Sequence, residues 1–201
     1  MDSCDVLIVG GGPAGSSCAR ELVRSGRDVV VLDKATFPRD KICAGWITPA
    51  VIEELDLDLA DYRLSRVLQP IVAFRTGLVG GQTVETRYPG AVSYGIRRCE
   101  FDHYLLARSG SRLRLGEPLE SLRRDGDRWI VNESICAPVV IGAGGHFCPV
   151  ARLMGEKSTS DGDDQVVLAQ EIEFELSPAE QAACQVKPEV PELYFCPDLR
   201  G

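Results

Sequence analysis

Two short apolar runs, Asp5-Val-Leu-Ile-Val9 and Asp28-Val-Val-Val-Leu32, bracket a helical stretch from Ser16 to Ser25. The first run breaks into Gly10-Gly-Gly12-Pro13-Ala14-Gly15, and the second ends on Asp33. Strand, glycine turn, helix, strand and acidic residue in that order predict one unbroken βαβ unit. Beyond it, the Pro, Gly and charged residues of Lys34 to Trp46 predict an ordered loop. Thr48-Pro49 has the form of an N-cap with proline at the first helical position, opening a helix to about Leu55. Short β-rich runs follow at 70–75, 82–88 and 93–97, separated by Gly77, Gly80-Gly81 and Pro89-Gly90. They predict antiparallel strands of a second layer.

The pattern returns to helix at Arg98 to Gly110, with Phe101, Leu105 and Leu106 on one face and Gly110 suited to the left-handed position past the end. Arg112 to Leu115 predicts a third parallel strand. Segments 119–123 and 128–131, joined through Asp125-Gly126, predict a hairpin. Pro138-Val-Val-Ile141 is a continuous apolar run of the kind buried on both faces, and 149–154 predicts a helix start. The stretch 159–164 predicts a solvated loop and Val166 to Leu176 a long alternating strand. Pro178 to Cys184 predicts a short helix, and Glu192 to Cys196 a last strand. The fold class is therefore α/β: a Rossmann-like, mostly parallel sheet with helices, interrupted by a β-rich antiparallel domain that the chain leaves incomplete. The expected division assigns 1–68 and 98–155 to the first domain and 69–97 and 156–201 to the second.

Composition changes this picture little. The chain has 201 residues and a net charge of −8, which argues against nucleic-acid binding and offers no basic stripe for anionic lipid. No apolar run approaches the roughly 20 residues needed to span a bilayer. The N-terminus opens into the first strand without a signal-like segment, so a cytoplasmic protein is expected. Eight scattered cysteines without a C-x-x-C pair read as reduced thiols, mostly small buried residues. No Cys/His grouping has zinc-ligand spacing, and His103 and His146 stand far apart, so no metal site is expected.

The glycine turn carries the chemistry. Gly10 allows the tight turn off the strand, Gly12 leaves bare backbone for a pyrophosphate, and Gly15 lets helix and strand pack closely. The helix N-terminus presents unpaired N–H groups and partial positive charge to phosphates. Asp33 is placed to accept hydrogen bonds from a ribose. The expected ligand is an adenine dinucleotide.

Three separated motifs extend this reading: Gly10-x-Gly12-x-x-Gly15 with Asp33; Arg98-x-x-Phe101-Asp102; and Ile141-Gly-Ala-Gly144-Gly145 followed by Val150-Ala-Arg152. Together they resemble the FAD-dependent oxidoreductases of the aromatic-hydroxylase-like superfamily. The stretch Phe37-Pro-Arg-Asp-Lys41-Ile-Cys43-Ala-Gly45 resembles the geranylgeranyl reductase branch. The resemblance implies that Gly10, Gly12, Pro13, Ala14 and Gly15 line the FAD pyrophosphate, that Asp33 holds the adenosine ribose, and that Lys34 lies beside the adenine. It places Cys43, Ala44 and Gly45 along the flavin ring and ribityl chain, Arg98 at the FAD phosphates or ribityl hydroxyls, and the backbone near Leu119 at the adenine. Cys43 is the candidate catalytic thiol, as proton donor or redox group, with simple packing against the ring as the alternative.

Two departures stand out. The superfamily has aspartate where this chain has Gly144, and the later Gly-Asp flavin motif is absent before residue 201, so relatives are expected to continue further. The resemblance implies a reductase in which NAD(P)H or another donor reduces FAD, and reduced flavin passes hydride to a carbon–carbon double bond of an isoprenoid or lipid-like substrate. The apolar substrate would need a long groove, to which strands at 70–75, 82–88 and 166–174 are candidates. The alternatives are a flavin monooxygenase or halogenase, for which no Trp-x-Trp-x-Ile-Pro stretch is visible, and a flavin-binding module without turnover. The sequence leaves peripheral membrane contact and oligomeric state open.

Overall fold

A computed structural model describes residues 1–155 and 169–196. In chain order the strands are β1 (Asp2–Ser3), β2 (Val6–Val9), β3 (Val29–Asp33), β4 (Trp46–Ile47), β5 (Leu68–Ile71), β6 (Ala73–Leu78), β7 (Thr83–Arg87), β8 (Ser93–Ile96), β9 (Arg112–Leu115), β10 (Leu122–Asp125), β11 (Arg128–Val131), β12 (Ile135–Ala137), β13 (Val139–Gly142) and β14 (Glu192–Phe195). The helices are α1 (Pro13–Arg24), α2 (Pro49–Glu54), α3 (Leu59–Arg63), α4 (Arg98–Arg108), α5 (Pro149–Leu153) and α6 (Pro178–Ala183).

The chain divides into two compact units, Met1–Asp40 with Cys99–Gln165, and Lys41–Arg98 with Val166–Gly201. The break after Asp40 replaces the expected one at residue 68. Its cause is pairing: β4 lies antiparallel to β8, Trp46 opposite Gly95 and Ile47 opposite Tyr94, which ties the loop after Asp40 to the antiparallel strands.

In the first unit β13, β2, β3 and β9 form a sheet in that order, with every pair parallel. Both central strands are buried throughout, as continuous Val/Ile/Leu runs of a parallel sheet should be. Alternate residues feed two cores. Leu7, Val9, Val30 and Leu32 pack with Val131, Ile135 and Ala137 of a second sheet, β1-β12-β11-β10. Val6, Ile8, Val29 and Val31 pack with Ala19 of α1 and Leu106 of α4. The unit is thus three-layered, with the parallel sheet in the middle. The hairpin β10–β11 forms as expected, shifted to Leu122↔Val131 through Asp125↔Arg128. The apolar run at 138–141 does not have two buried faces: β13 is an edge strand and Val139 is 45% exposed.

The second unit holds two three-stranded sheets, β14-β6-β7 and β4-β8-β5. β14 joins β6 in parallel, whereas β6–β7 and β5–β8 are antiparallel. The expected strand at Val166–Leu176 is not found: 166–168 lie outside the described residues, and the chain from 169 to 176 is irregular. Thr48 stands at the N-cap of α2 without a side-chain cap bond, whereas Ser177 and Glu180 form a capping box at α6. All eight cysteines are free, but only Cys4 is fully buried, and Cys184 and Cys196 are exposed. Burial pushes the Cys4 thiol up to about 11.

Candidate functional site

The corner where β2 ends and α1 begins is built entirely within the first unit. Gly10 has φ +116°, and a Cβ there would stand 2.4 Å from the Ala143 carbonyl oxygen. A Cβ on Gly15 would stand 1.8 Å from the Gly10 carbonyl oxygen. These two glycines are demanded by the protein's own packing. Gly15, Ser16 and Ala19 form the small buried face of α1, which lets helix and turn approach that closely. The amide of Gly144 lies 2.9 Å from the same Gly10 position, so the third glycine motif completes the corner.

Gly12 differs. It is the N-cap of α1, with ordinary extended backbone (φ −70°, ψ −176°) and no side-chain cap, and Pro13 follows. A Cβ on Gly12 would meet no packed core atom, only the tip of the Arg39 side chain at 3.5 Å. The space in front of the helix N-terminus is open, and the partial positive charge of a twelve-residue helix faces it. These features fit the diphosphate of an adenine dinucleotide, whose oxygens accept from backbone N–H groups and whose approach needs a residue without a side chain.

Asp33, buried at the end of β3, binds the glycine turn with one carboxylate oxygen and the loop that follows it with the other. Oδ2 accepts from the Gly11 amide at 2.7 Å and Oδ1 from the Ala35 amide at 2.8 Å. The acid therefore pins the glycine loop, a role the sequence does not announce. Each oxygen keeps a further lone pair for a ribose hydroxyl. Lys34 is exposed beside it. Leu119 is a core residue, and its neighbourhood is clamped by Asn132, whose Oδ1 accepts from Glu120 and Ser121 and whose Nδ2 donates to the Pro118 carbonyl. Gly144 is the N-cap of a 3-10 turn, Gly145–Phe147. A Cβ there would meet Pro149 Cδ at 2.8 Å, so a side chain at 144 would require Pro149 to shift.

Sequence reasoning also missed Arg39. Its guanidinium lies 3.3 Å from Oδ2 of the fully buried Asp102 and sits over the Phe37 ring, 4.8 Å from the centroid. The Phe37 ring in turn packs 3.3 Å from where a Cβ on Gly11 would stand.

Cys43, Ala44, Gly45 and Arg98 fall in the second unit. Cys43 is half-buried, and its amide donates to a carboxylate oxygen of Glu171. Gly45 has φ +70° and would place a Cβ 2.7 Å from the Ile96 carbonyl oxygen; the Ile96 amide donates to the Gly45 carbonyl at 2.7 Å. Arg98 is the half-buried first residue of α4. An open cavity of about 420 Å³ in this unit is lined by α2 residues, among them Pro49, Ile52 and Glu53, together with Leu57 and Tyr94. None of its lining comes from 70–75 or 82–88, and β7 is exposed along its length. Among the described residues no group of three or more His, Cys, Asp or Glu side chains gathers as a metal site requires, and no helix is long and apolar enough to cross a membrane.

The corner defines a dinucleotide-binding α/β unit: a parallel sheet, a glycine turn opening a helix, and an acid at the next strand tip. Residues 5–96 match the family described as FAD dependent oxidoreductase. Menaquinone reductase from Mycobacterium tuberculosis is 35% identical over 170 residues, covering 78% of this chain and 41% of that protein. Digeranylgeranylglycerophospholipid reductase 3 from Methanosphaera stadtmanae is 29% identical over 161 residues, covering 74% and 41%. Among solved structures, halogenase PltM in complex with phloroglucinol and FAD superposes with a TM-score of 0.60 at 21% identity, covering 76% of this chain and 36% of that one; this likeness is one of fold. The chain spans about two fifths of the length of these curated relatives. It carries an FAD-dependent oxidoreductase domain whose homologues include geranylgeranyl-type and menaquinone reductases.

Proposed function

We propose that this chain supplies the FAD-holding part of a reductase acting on carbon–carbon double bonds of an isoprenoid or similar lipid-like substrate. The observation that carries the FAD reading is the open, side-chain-free position at Gly12, set between two glycines that packing alone explains. When bound, FAD supplies hydride transfer at its ring. The chain's own contribution is binding and orientation: the α1 N-terminus takes the diphosphate, and Asp33 holds the turn that receives it. On motif grounds Cys43, Ala44 and Gly45 are assigned to the flavin and Arg98 to its phosphates or ribityl chain. Reductive chemistry is supported by the relatives, two of which are reductases of a geranylgeranyl lipid and of menaquinone. NAD(P)H or another reductant is the proposed electron donor. The likeness to a halogenase fold keeps an oxygen-using flavoenzyme as the second reading.

The test uses the full protein under anaerobic conditions. Flavin absorbance should be present, should bleach with NAD(P)H or dithionite, and should return on addition of a geranylgeranyl lipid, with a saturated product. Recovery only with oxygen, accompanied by a hydroxylated or halogenated product, would replace this reading with the second.

A further inference from the structure

Arg39 and Asp102 lie 63 positions apart in sequence, in two motifs that local pattern treats as unrelated. In the structure they meet at 3.3 Å, with the Asp102 carboxylate at 0% exposure. A buried carboxylate is costly unless paired, so its retention calls for a reason. The partner's location supplies one. The Arg39 tip is the group that a Cβ on Gly12 would meet, at 3.5 Å, so the guanidinium borders the same open space that the α1 N-terminus faces. Phe37 supports it from below, with its ring under the guanidinium and its edge against the Gly11 position.

We propose that Arg39 is a diphosphate-binding residue of the nucleotide site, and that Asp102 is the positioning residue that holds its guanidinium there; this rests on the proposed FAD reading. A dinucleotide diphosphate carries two negative charges and the helix end offers the equivalent of about half a positive one; Arg39, paired with Asp102, adds directed N–H donors there rather than net charge. A guanidinium has five N–H donors in a planar fork. Asp102 and Phe37 fix the plane of that fork while leaving donors for phosphate oxygens. The ion pair thereby ties Arg39, in the loop after β3, to Asp102 of α4, both within the first unit.

The experiment compares wild type with R39Q, R39K and D102N in the full protein, measuring dissociation constants for FAD, ADP and adenosine by calorimetry, with ligand-free melting temperature as the folding control. R39Q should weaken FAD and ADP about 10- to 100-fold, the range of one charge-assisted hydrogen bond, and leave adenosine, which lacks phosphate, within about twofold. D102N should show a smaller loss of the same selectivity, and R39K should fall between R39Q and wild type. The double variant R39Q/D102N, which removes the buried carboxylate together with its cation, carries the test if R39Q alone unfolds. Equal FAD and ADP affinities in R39Q and wild type, or an equal loss for adenosine, overturn this proposal while leaving the FAD reading intact. A wild type that binds neither FAD nor ADP overturns that reading, and this proposal with it.

Discussion

Gly10, Gly12 and Gly15 belong to one sequence motif, yet substitution should separate them cleanly. At Gly12 the backbone (φ −70°, ψ −176°) suits any L residue, and a Cβ meets only Arg39, at ordinary contact distance. Gly12→Val should therefore cost the fold only the difference between glycine and valine at an N-cap, about 1 kcal/mol, or about 2–4 °C in a chain of this size. Its branched side chain would stand where the diphosphate must reach the helix N-terminus. Losing two charge-assisted hydrogen bonds at about 1.5–3 kcal/mol each weakens FAD by about a hundredfold or more. Gly10→Ala and Gly15→Ala should behave oppositely. The first forces a side chain into φ +116° and a 2.4 Å contact with backbone, and the second into a 1.8 Å contact with backbone. Backbone cannot rotate away, so strain and displacement together should cost about 3 kcal/mol or more. Thermal melts without ligand and FAD titrations give both quantities for each variant. A Gly12→Val protein that binds FAD like wild type would refute the placement of the phosphates. A Gly15→Ala protein with an unchanged melting temperature would refute the packing account.

Two further outcomes follow from the ion and hydrogen-bond pattern. Asp33→Asn keeps one acceptor but turns an N–H donor toward either Gly11 or Ala35; stability should fall by about 1–3 kcal/mol, with weaker FAD binding, and an unchanged melt would show that the acid does not hold the turn. Arg112 donates to Asp2, Asp28 and the Ser3 carbonyl, and its guanidinium holds the Asp2 carboxyl below its ordinary value of 3.8. Because the folded-state value is the lower one, the contribution is present above about pH 4 and is lost as pH falls through the folded-state value. Melting temperature should decline more steeply below about pH 4 in wild type than in Arg112→Gln; parallel curves would show the pair to be idle.

What the sequence disclosed was what is local. The strands at Val6–Val9 and Val29–Asp33 and the α1 helix between them could be read directly, because residues buried on both faces must be continuously apolar and a glycine turn interrupts them visibly. The errors arose where the deciding partner is remote. Val139–Gly142 has the composition of a central strand, but only neighbours decide whether a strand is central, and β2 pairs it on one side alone. Residues 169–176 alternate, yet Phe174 is 72% exposed and no strand pairs with them among the described residues; alternation without a partner leaves irregular chain rather than a sheet. The boundary at Asp40 depends on a two-residue pairing of Trp46–Ile47 with Tyr94–Gly95, which carries no periodic signal. Arg39, Asp102 and Asn132 act through tertiary contacts, so their residue types alone revealed nothing.

Gly144 shows how the corner's chemistry and packing constrain each other. The superfamily that the motifs resemble is expected to carry a carboxylate at that place, and glycine there would be a loss if only charge were considered. Here Pro149 starts α5 immediately after the 3-10 turn, and its Cδ stands 2.8 Å from where a side chain at 144 would begin. A side chain at 144 would require that proline to shift, whereas the Gly144 amide abuts Gly10. The corner thus retains its backbone shape without an acid beside the diphosphate space. The buried carboxylate near that space is instead Asp102, which faces Arg39, so its charge is neutralised before a ligand arrives. With glycine at 144 the turn adds no carboxylate of its own beside the Gly12 position, where the diphosphate is proposed to bind, in a chain whose overall charge is −8.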